Sequence, residues 1–200
     1  MARLLFTSRK FGSLADPVDQ TERLKLAKFL NKQVEFMAQS HSNEIAVVNQ
    51  QGTTPSADGL VTTNKDIALA VRVADCLPLL LFSKQAVAAV HVGRKGLLNK
   101  VAVNAVKKMQ ELGASNISGV VGPHICGNCY EVDAQMYADI IKLHPATGGK
   151  RNHLNLYAGL AQQLSDLPLS NLGICTKENS DYFSYRAHGE AGRQVGVISL

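Results

Sequence analysis

The sequence predicts a fold of the α+β (mixed α/β) class, a single domain over residues 1–200, and three observations carry that reading. Short apolar runs rich in Val and Ile alternate with stretches whose apolar residues recur every three or four positions. An apolar content of 46% in 200 residues suffices for one substantial core. No internal repeat or low-complexity segment breaks the alternation.

Leu4 to Thr7 reads as a first strand. Leu24, Ala27, Leu30 and Val34 stand at helical spacing, which predicts a long amphipathic helix between Asp19 and Met37. Ile45 to Val48 reads as a strand and Asn49 to Ser56, with its Gln, Gly, Thr and Pro, as a loop. Ile67, Leu69, Val71 and Val73 alternate with Ala68, Ala70 and Arg72, the period of a half-buried strand, ending at Ala74-Asp75-Cys76. Leu77 to Phe82 is apolar, and its Pro78 suits an edge or the start of a strand. Val87 to Val90 is a β-type run that ends at His91, and Gly93 and Gly96 bracket a turn. Leu97, Val101, Ala105, Met109 and Leu112 line one face of a helix closed by Gly113. Ser118 to Val121 is a strand, and helices over Ala134–Leu143 and Asn155–Leu164 flank a Pro- and Gly-rich loop, 145–149. Leu172–Cys175 and Gln194–Leu200 read as the last strands.

The formal charge of +5 favours anionic small molecules, but the basic residues are scattered, with Arg94-Lys95, Lys107-Lys108 and Lys150-Arg151 the densest pairs. No ladder of aromatic and basic residues marks a nucleic-acid surface. The apolar runs fall short of the roughly 20 residues of a membrane helix, and Met1 to Phe6 is too short for a secretory h-region. Four cysteines are too few for a disulfide scaffold. A cytoplasmic protein with free thiols and no membrane partner is the expectation.

Cys76 and His91 each stand just beyond a buried apolar strand, where neighbouring strand ends converge. A thiolate and a neutral imidazole suit a borderline-soft ion such as zinc, and three protein ligands leave a fourth tetrahedral position open. The H-E-x-x-H, paired C-x-x-C and H-x-E…P-C-x-x-C patterns of familiar zinc proteins do not occur. Cys126-Gly127-Asn128-Cys129 is a C-x-x-C that reads as a metal pair, a dithiol or, preferably, a structural loop.

The runs Val73-Ala74-Asp75-Cys76-Leu77-Pro78 and Ala88-Ala89-Val90-His91-Val92-Gly93-Arg94-Lys95-Gly96-Leu97 resemble the A-D-C-l-P and H-a-G-W-R-G blocks of the YfiH-like, or laccase-domain, family. The resemblance continues in order through Ala57-Asp58-Gly59-Leu60-Val61-Thr62, Gly122-Pro123-His124-Ile125, Tyr130-Glu131-Val132, Cys175-Thr176, Phe183-Ser184-Tyr185-Arg186 and Gly192-Arg193. It implies mixed β-sheets flanked by helices, and metal ligands comprising a first His, Cys76 and His91. The first His belongs to a Q-V-H-G block that is degraded here. Either Gln51-Gly52 keeps the block without its His, or Gln39-Ser40-His41-Ser42 keeps both Gln and His, and His41 is chosen.

The resemblance further implies a zinc-dependent purine nucleoside phosphorylase, with adenosine deaminase activity as a second reaction and purine nucleoside and phosphate as partners. Cys76 and His91 would act in catalysis. Asp75 would orient a ligand or move a proton, unless it is a strand-end turn residue. Arg9, Lys95 and Arg186 are the basic candidates for phosphate, and His124 either lines the pocket or is a loop histidine. Arg94-Lys95 replaces the family's Trp-Arg, which removes an aromatic wall. His144, His153 and His188 read as surface residues. The competing readings are a metal-free Cys/His hydrolase with Cys76 as nucleophile, a copper-dependent phenol oxidase, for which one Cys and two His are few ligands, and a non-catalytic binding protein with a decayed site.

Overall fold

The computed structural model describes residues 2–15, 20–189 and 192–200. The chain runs β1 (Arg3–Phe6), α1 (Gln20–Leu30), β2 (Gln33–Glu35), β3 (Ile45–Val47), β4 (Gly59–Thr62), β5 (Ile67–Val73), β6 (Leu77–Phe82) and β7 (Val87–Val92). It continues through α2 (Arg94–Leu98), α3 (Val101–Glu111), β8 (Ser118–Val121), α4 (Ala134–Leu143), α5 (Leu156–Gln163), β9 (Leu169–Asn171), α6 (Tyr185–His188) and β10 (Gln194–Ser199). Among the described residues these strands form a four-stranded sheet, β1-β10-β5-β2, and a six-stranded sheet, β3-β4-β7-β6-β8-β9. Both sheets mix parallel and antiparallel pairs.

The period of two along β5 sets the layering. Ile67, Leu69, Val71 and Val73 bury against Leu60, Leu80, Val87 and Ala89 of the facing sheet. Ala68 and Ala70 bury on the other side with Leu26 of α1, Leu14 and Phe36. The small alanines let α1 and the Leu14 segment lie close, so β5 is buried on both faces rather than one. The far face of the six-stranded sheet repeats the logic: Leu77, Leu79 and Leu81 pack with Val101, Ala105 and Met109 of α3 and Leu160 of α5. Each such buried leucine contributes roughly 1.5–3 kcal/mol relative to an exposed one. The order of layers is helix, sheet, sheet, helices.

Several expected elements change. The helix expected to reach Met37 ends at Leu30, because Asn31 takes a left-handed turn at φ 50° and Gln33–Glu35 then form a strand, with Val34 and Phe36 buried in one cluster. Its expected start, Asp19, lies outside the described residues. The helix face Leu97, Val101, Ala105, Met109 is as expected, but Lys100 at φ 60° breaks the helix into α2 and α3. Gly96 lies inside α2 rather than in a turn, and a Cβ there would meet Val101 at 3.0 Å and the His91 carbonyl at 3.3 Å. Pro78 stands near the start of β6, not on an edge: β6 runs between β7 and β8. The strand expected over Leu172–Cys175 is displaced to Leu169–Asn171, and Cys175 keeps only an isolated bridge to His124. His144 and His153 are partly exposed and His188 is exposed. Among the described residues no helix is long and apolar enough to cross a membrane.

Candidate metal centre and active-site cleft

The β5–β6 connection crosses from one sheet to the other, and Cys76 sits in that crossing, one residue before β6. His91 lies within β7 rather than beyond it, opposite Pro78, so the antiparallel register brings His91 and Gly93 beside Cys76. A side chain at Gly93 would place its Cβ 3.0 Å from His41 Cδ2 and 3.1 Å from Cys76 Sγ. Glycine therefore makes room for the cluster. His41 enters from the loop after β2, with its ring edge-to-face to His91 at 4.7 Å between centroids. One donor atom each from His41, Cys76 and His91 lie within 4.8 Å of one another. Two imidazoles and a thiol are a donor set that fits a soft or borderline ion.

Asp58, buried at the head of β4, organises two of the three donors. Successive backbone N–H groups of Ser40, His41 and Ser42 donate to its carboxylate at 3.1, 3.1 and 2.6 Å, and Ser42 Oγ adds a fourth bond at 2.8 Å. His41 has φ 61°, the alternation of backbone handedness that curls amides into an anion-binding nest. The same carboxylate lies 2.7 Å from His91 Nδ1. A carboxylate accepts only, so Nδ1 carries the proton and Nε2 is left for the cluster. Burial would raise the Asp58 pKa, but His91 and the Ser40–Ser42 donors hold it well below the usual carboxylate range.

Burial opposes the charged forms of Cys76 and His91, yet their mutual attraction wins. With hydrogen bonds from His41 and His91 added, the Cys76 thiol falls to about 6. Its charge and Asp58 push His91 up to about 9. Between these values the metal-free cluster is a thiolate–imidazolium pair. In metal-stripped protein, the alkylation rate of Cys76, followed by mass spectrometry, is expected to rise through about pH 6, and in His91→Ala to move toward the ordinary thiol value of 9.0. An unshifted profile in His91→Ala would contradict this account of the thiolate.

The cluster opens into a cleft of about 550 Å³ lined also by Gln39, Arg72, Tyr130, Tyr185, Arg186 and Arg193. Gln39 is held by both its amide atoms to the backbone of Arg72, at 2.9 Å each. Arg186 stacks on the Tyr130 ring at 4.9 Å and donates to the Glu131 carbonyl. Burial pushes the Tyr130 hydroxyl up, against the effect of the nearby Arg94 guanidinium.

Of the residues singled out in the sequence, His41, Cys76, His91, Asp75 and Arg186 meet at this cleft. Asp75, at φ 91°, uses its carboxylate structurally: Thr176 Oγ1, Ser184 Oγ and the Arg186 N–H donate to it, each at 2.7 Å. Arg9 lies outside the lining, donating to the Tyr182 carbonyl at 3.0 Å and stacking over Phe183 at 4.6 Å, so it braces the segment that carries Tyr185 and Arg186. Lys95 is exposed on α2 and does not line the cleft; Arg94 is the residue turned toward Tyr130. His124 is also outside it, buried with Nδ1 2.8 Å from the Gly122 carbonyl. In the sequence, Asp58, Tyr130 and Arg193 stand out only as parts of matching blocks. The one local signal for Asp58 was an acidic residue heading the apolar stretch 59–62.

Comparison with known proteins follows the same lines. A family described as multi-copper polyphenol oxidoreductase laccase matches residues 12–200. A purine nucleoside phosphorylase of Streptomyces coelicolor is 38% identical over 181 residues, 84% of this chain and 75% of that protein. One of Corynebacterium glutamicum is 38% identical over 182 residues, covering 84% and 74%. Among solved structures, a Neisseria meningitidis protein of the DUF152 family superposes with a TM-score of 0.86 at 26% identity, over 100% of this chain and 94% of its own. The YfiH protein of Bacillus licheniformis, at 24% identity and a TM-score of 0.86 over 100% and 92%, shares the fold.

Proposed function

The chain belongs to the multi-copper polyphenol oxidoreductase laccase family, and from that membership we propose that it is a zinc-dependent purine nucleoside phosphorylase working in the His41–Cys76–His91 cleft. The names of its relatives support an enzyme of this kind. The observation that carries the reading is the convergence of three metal donors, two tyrosines and three arginines on one cleft of nucleoside size. A zinc ion held by His41, Cys76 and His91 would supply Lewis-acid polarisation of a substrate heteroatom.

The chain's own residues supply the rest. Tyr185 offers the aromatic face on which a purine stacks, in place of the Trp that Arg94 replaces. Arg186 and Arg193 hold phosphate by charge-assisted hydrogen bonds. A phosphate oxygen bonds to the anomeric carbon as the bond to the base breaks, and the electron pair leaves with the base, which takes up a proton. Tyr130, kept protonated by burial, is the donor the cleft offers to that base. Asp58 holds the proton on His91 Nδ1 throughout. Displacement of a purine 6-amino group by water with release of ammonia, adenosine deamination, is a second reaction that the same cleft would host.

The decisive experiment follows adenosine, inosine and guanosine with and without phosphate, on protein of measured metal content. Phosphate-dependent release of base, lost on chelation and restored by zinc, is expected. The thiolate–imidazolium pair favours one other reading, a metal-free hydrolase with Cys76 as nucleophile. Turnover that survives complete metal removal and vanishes in Cys76→Ala would establish that reading instead. No turnover of any nucleoside by metal-loaded protein would leave a binding role. Copper-dependent phenol oxidation is disfavoured by the donor count in the cleft, where three donors hold one ion. Arg186→Met is expected to raise KM for phosphate about 10-fold or more with kcat little changed, the loss of one charged hydrogen bond; an unchanged KM would remove Arg186 from the phosphate site.

A further inference from the structure

Outside the cleft, three cysteines and a glutamate that no step above uses converge between two loops. Cys126-Gly127-Asn128-Cys129 and Cys175-Thr176-Lys177-Glu178 carry donors at the same spacing, first and fourth. Each tetrapeptide is a tight turn: the Cys129 and Tyr130 amides donate to the Cys126 carbonyl at 3.0 and 3.1 Å, and the Asn179 amide to the Cys175 carbonyl at 3.0 Å. The turns are held side by side by a parallel bridge between His124 and Cys175. Donor atoms of Cys126, Cys129, Cys175 and Glu178 all lie within 4.8 Å of one another. Glu178 Oε1 is 3.1 Å from Cys129 Sγ and 4.0 Å from Cys126 Sγ. The Cys126 N–H points at Cys175 Sγ at 3.4 Å, the kind of backbone donor that supports a ligating sulfur. All three thiols are unpaired.

Tetrahedral ligands about 2.3 Å from a zinc ion stand roughly 3.5–4 Å apart, so these donors need only close slightly. We propose that Cys126, Cys129, Cys175 and Glu178 form a second zinc site, closed by four protein ligands and therefore structural. Three sulfurs select zinc over magnesium or calcium. Binding forms three Zn–S bonds and one Zn–O bond, and the three thiol protons leave to solvent; no oxidant or reductant takes part. The ion ties the turn that leads directly into Tyr130 to the turn whose Thr176 Oγ1 holds Asp75 at 2.7 Å. It thus clamps one wall of the cleft without touching substrate.

The test is metal content and cobalt spectroscopy on reduced protein in which the cleft cluster is removed by His41→Ala, Cys76→Ala and His91→Ala together. About one zinc per chain is expected to remain, against about two in the wild type, and the cobalt form should show an intense thiolate charge-transfer band. Cys126→Ser with Cys175→Ser should remove the second ion and keep the cleft ion. Should that variant not fold, the cobalt spectrum of the cleft-deleted protein decides alone. A cleft-deleted protein with no zinc, a cobalt form without the thiolate band, or zinc content undiminished in the folded serine variant would overturn the site. So would a Cys126–Cys129 disulfide as the resting state under reducing preparation. A cleft that holds no metal gives a different pattern: one zinc in the wild type and one in the cleft-deleted variant.

Discussion

Cys76→Ala is expected to lose the cleft ion and to lower kcat/KM for phosphorolysis on the order of 1,000-fold, with the fold intact. A Lewis acid at the reacting centre is worth several kcal/mol, and each ~1.4 kcal/mol is tenfold in rate. The residue is partly buried against the core between the sheets, and alanine removes only its sulfur atom, so the change leaves little cavity. Metal analysis and steady-state kinetics on the same preparation check the result. Cys76→Ala that keeps stoichiometric cleft metal and loses activity would make the thiol a nucleophile rather than a ligand. Retention of both would remove Cys76 from the chemistry altogether.

Asp58→Asn is expected to act on two ligands at once. The carboxylate is the shared acceptor of His91 Nδ1 and of three backbone amides that shape the His41 turn. An asparagine amide turns a donor toward these donors and no longer dictates which imidazole nitrogen is protonated. Loss of such a supporting partner costs about 10–100-fold in metal affinity, and the upper end applies here because both histidines depend on it. The same change leaves buried donors unsatisfied and His91 without its counter-charge, a loss of about 3–5 kcal/mol. For a chain of this length, that lowers Tm by roughly 10 °C. Competition with a zinc chelator and thermal denaturation of the metal-free protein measure the two effects separately. Unchanged zinc affinity in Asp58→Asn would show that the histidines are positioned by packing alone.

Much of the fold was legible because buried strands and helix faces write their period into the chain. The alternation over Ile67–Val73, the helix face Leu97–Val101–Ala105–Met109 and the helix Ala134–Leu143 are local patterns that packing reinforced. The sequence read Val34 as part of a helix because a residue four after Leu30 satisfies that period. A left-handed Asn31 and pairing of Gln33–Glu35 with β5 decided otherwise, and those are matters of long-range partners. The blocks Val73–Pro78 and Ala88–Leu97 single out Cys76 and His91 by the family resemblance they carry, although His91, expected just beyond an apolar strand, lies inside β7.

The sequence by itself determined the class of fold, its family and the chemistry of the donors, two imidazoles and a thiol. Tertiary structure alone decided which of several polar residues reach them. Arg9, Lys95 and His124 carry suitable groups, but they brace a loop, face solvent or bond a carbonyl. Asp58, 17 residues from His41 and 33 from His91, becomes their common acceptor only when a curled loop and two strands meet. The physical reason is the range of the forces involved. Backbone period and burial are read from neighbours a few residues away, whereas a hydrogen bond needs two atoms within about 3 Å, and only the packed sheets set that distance.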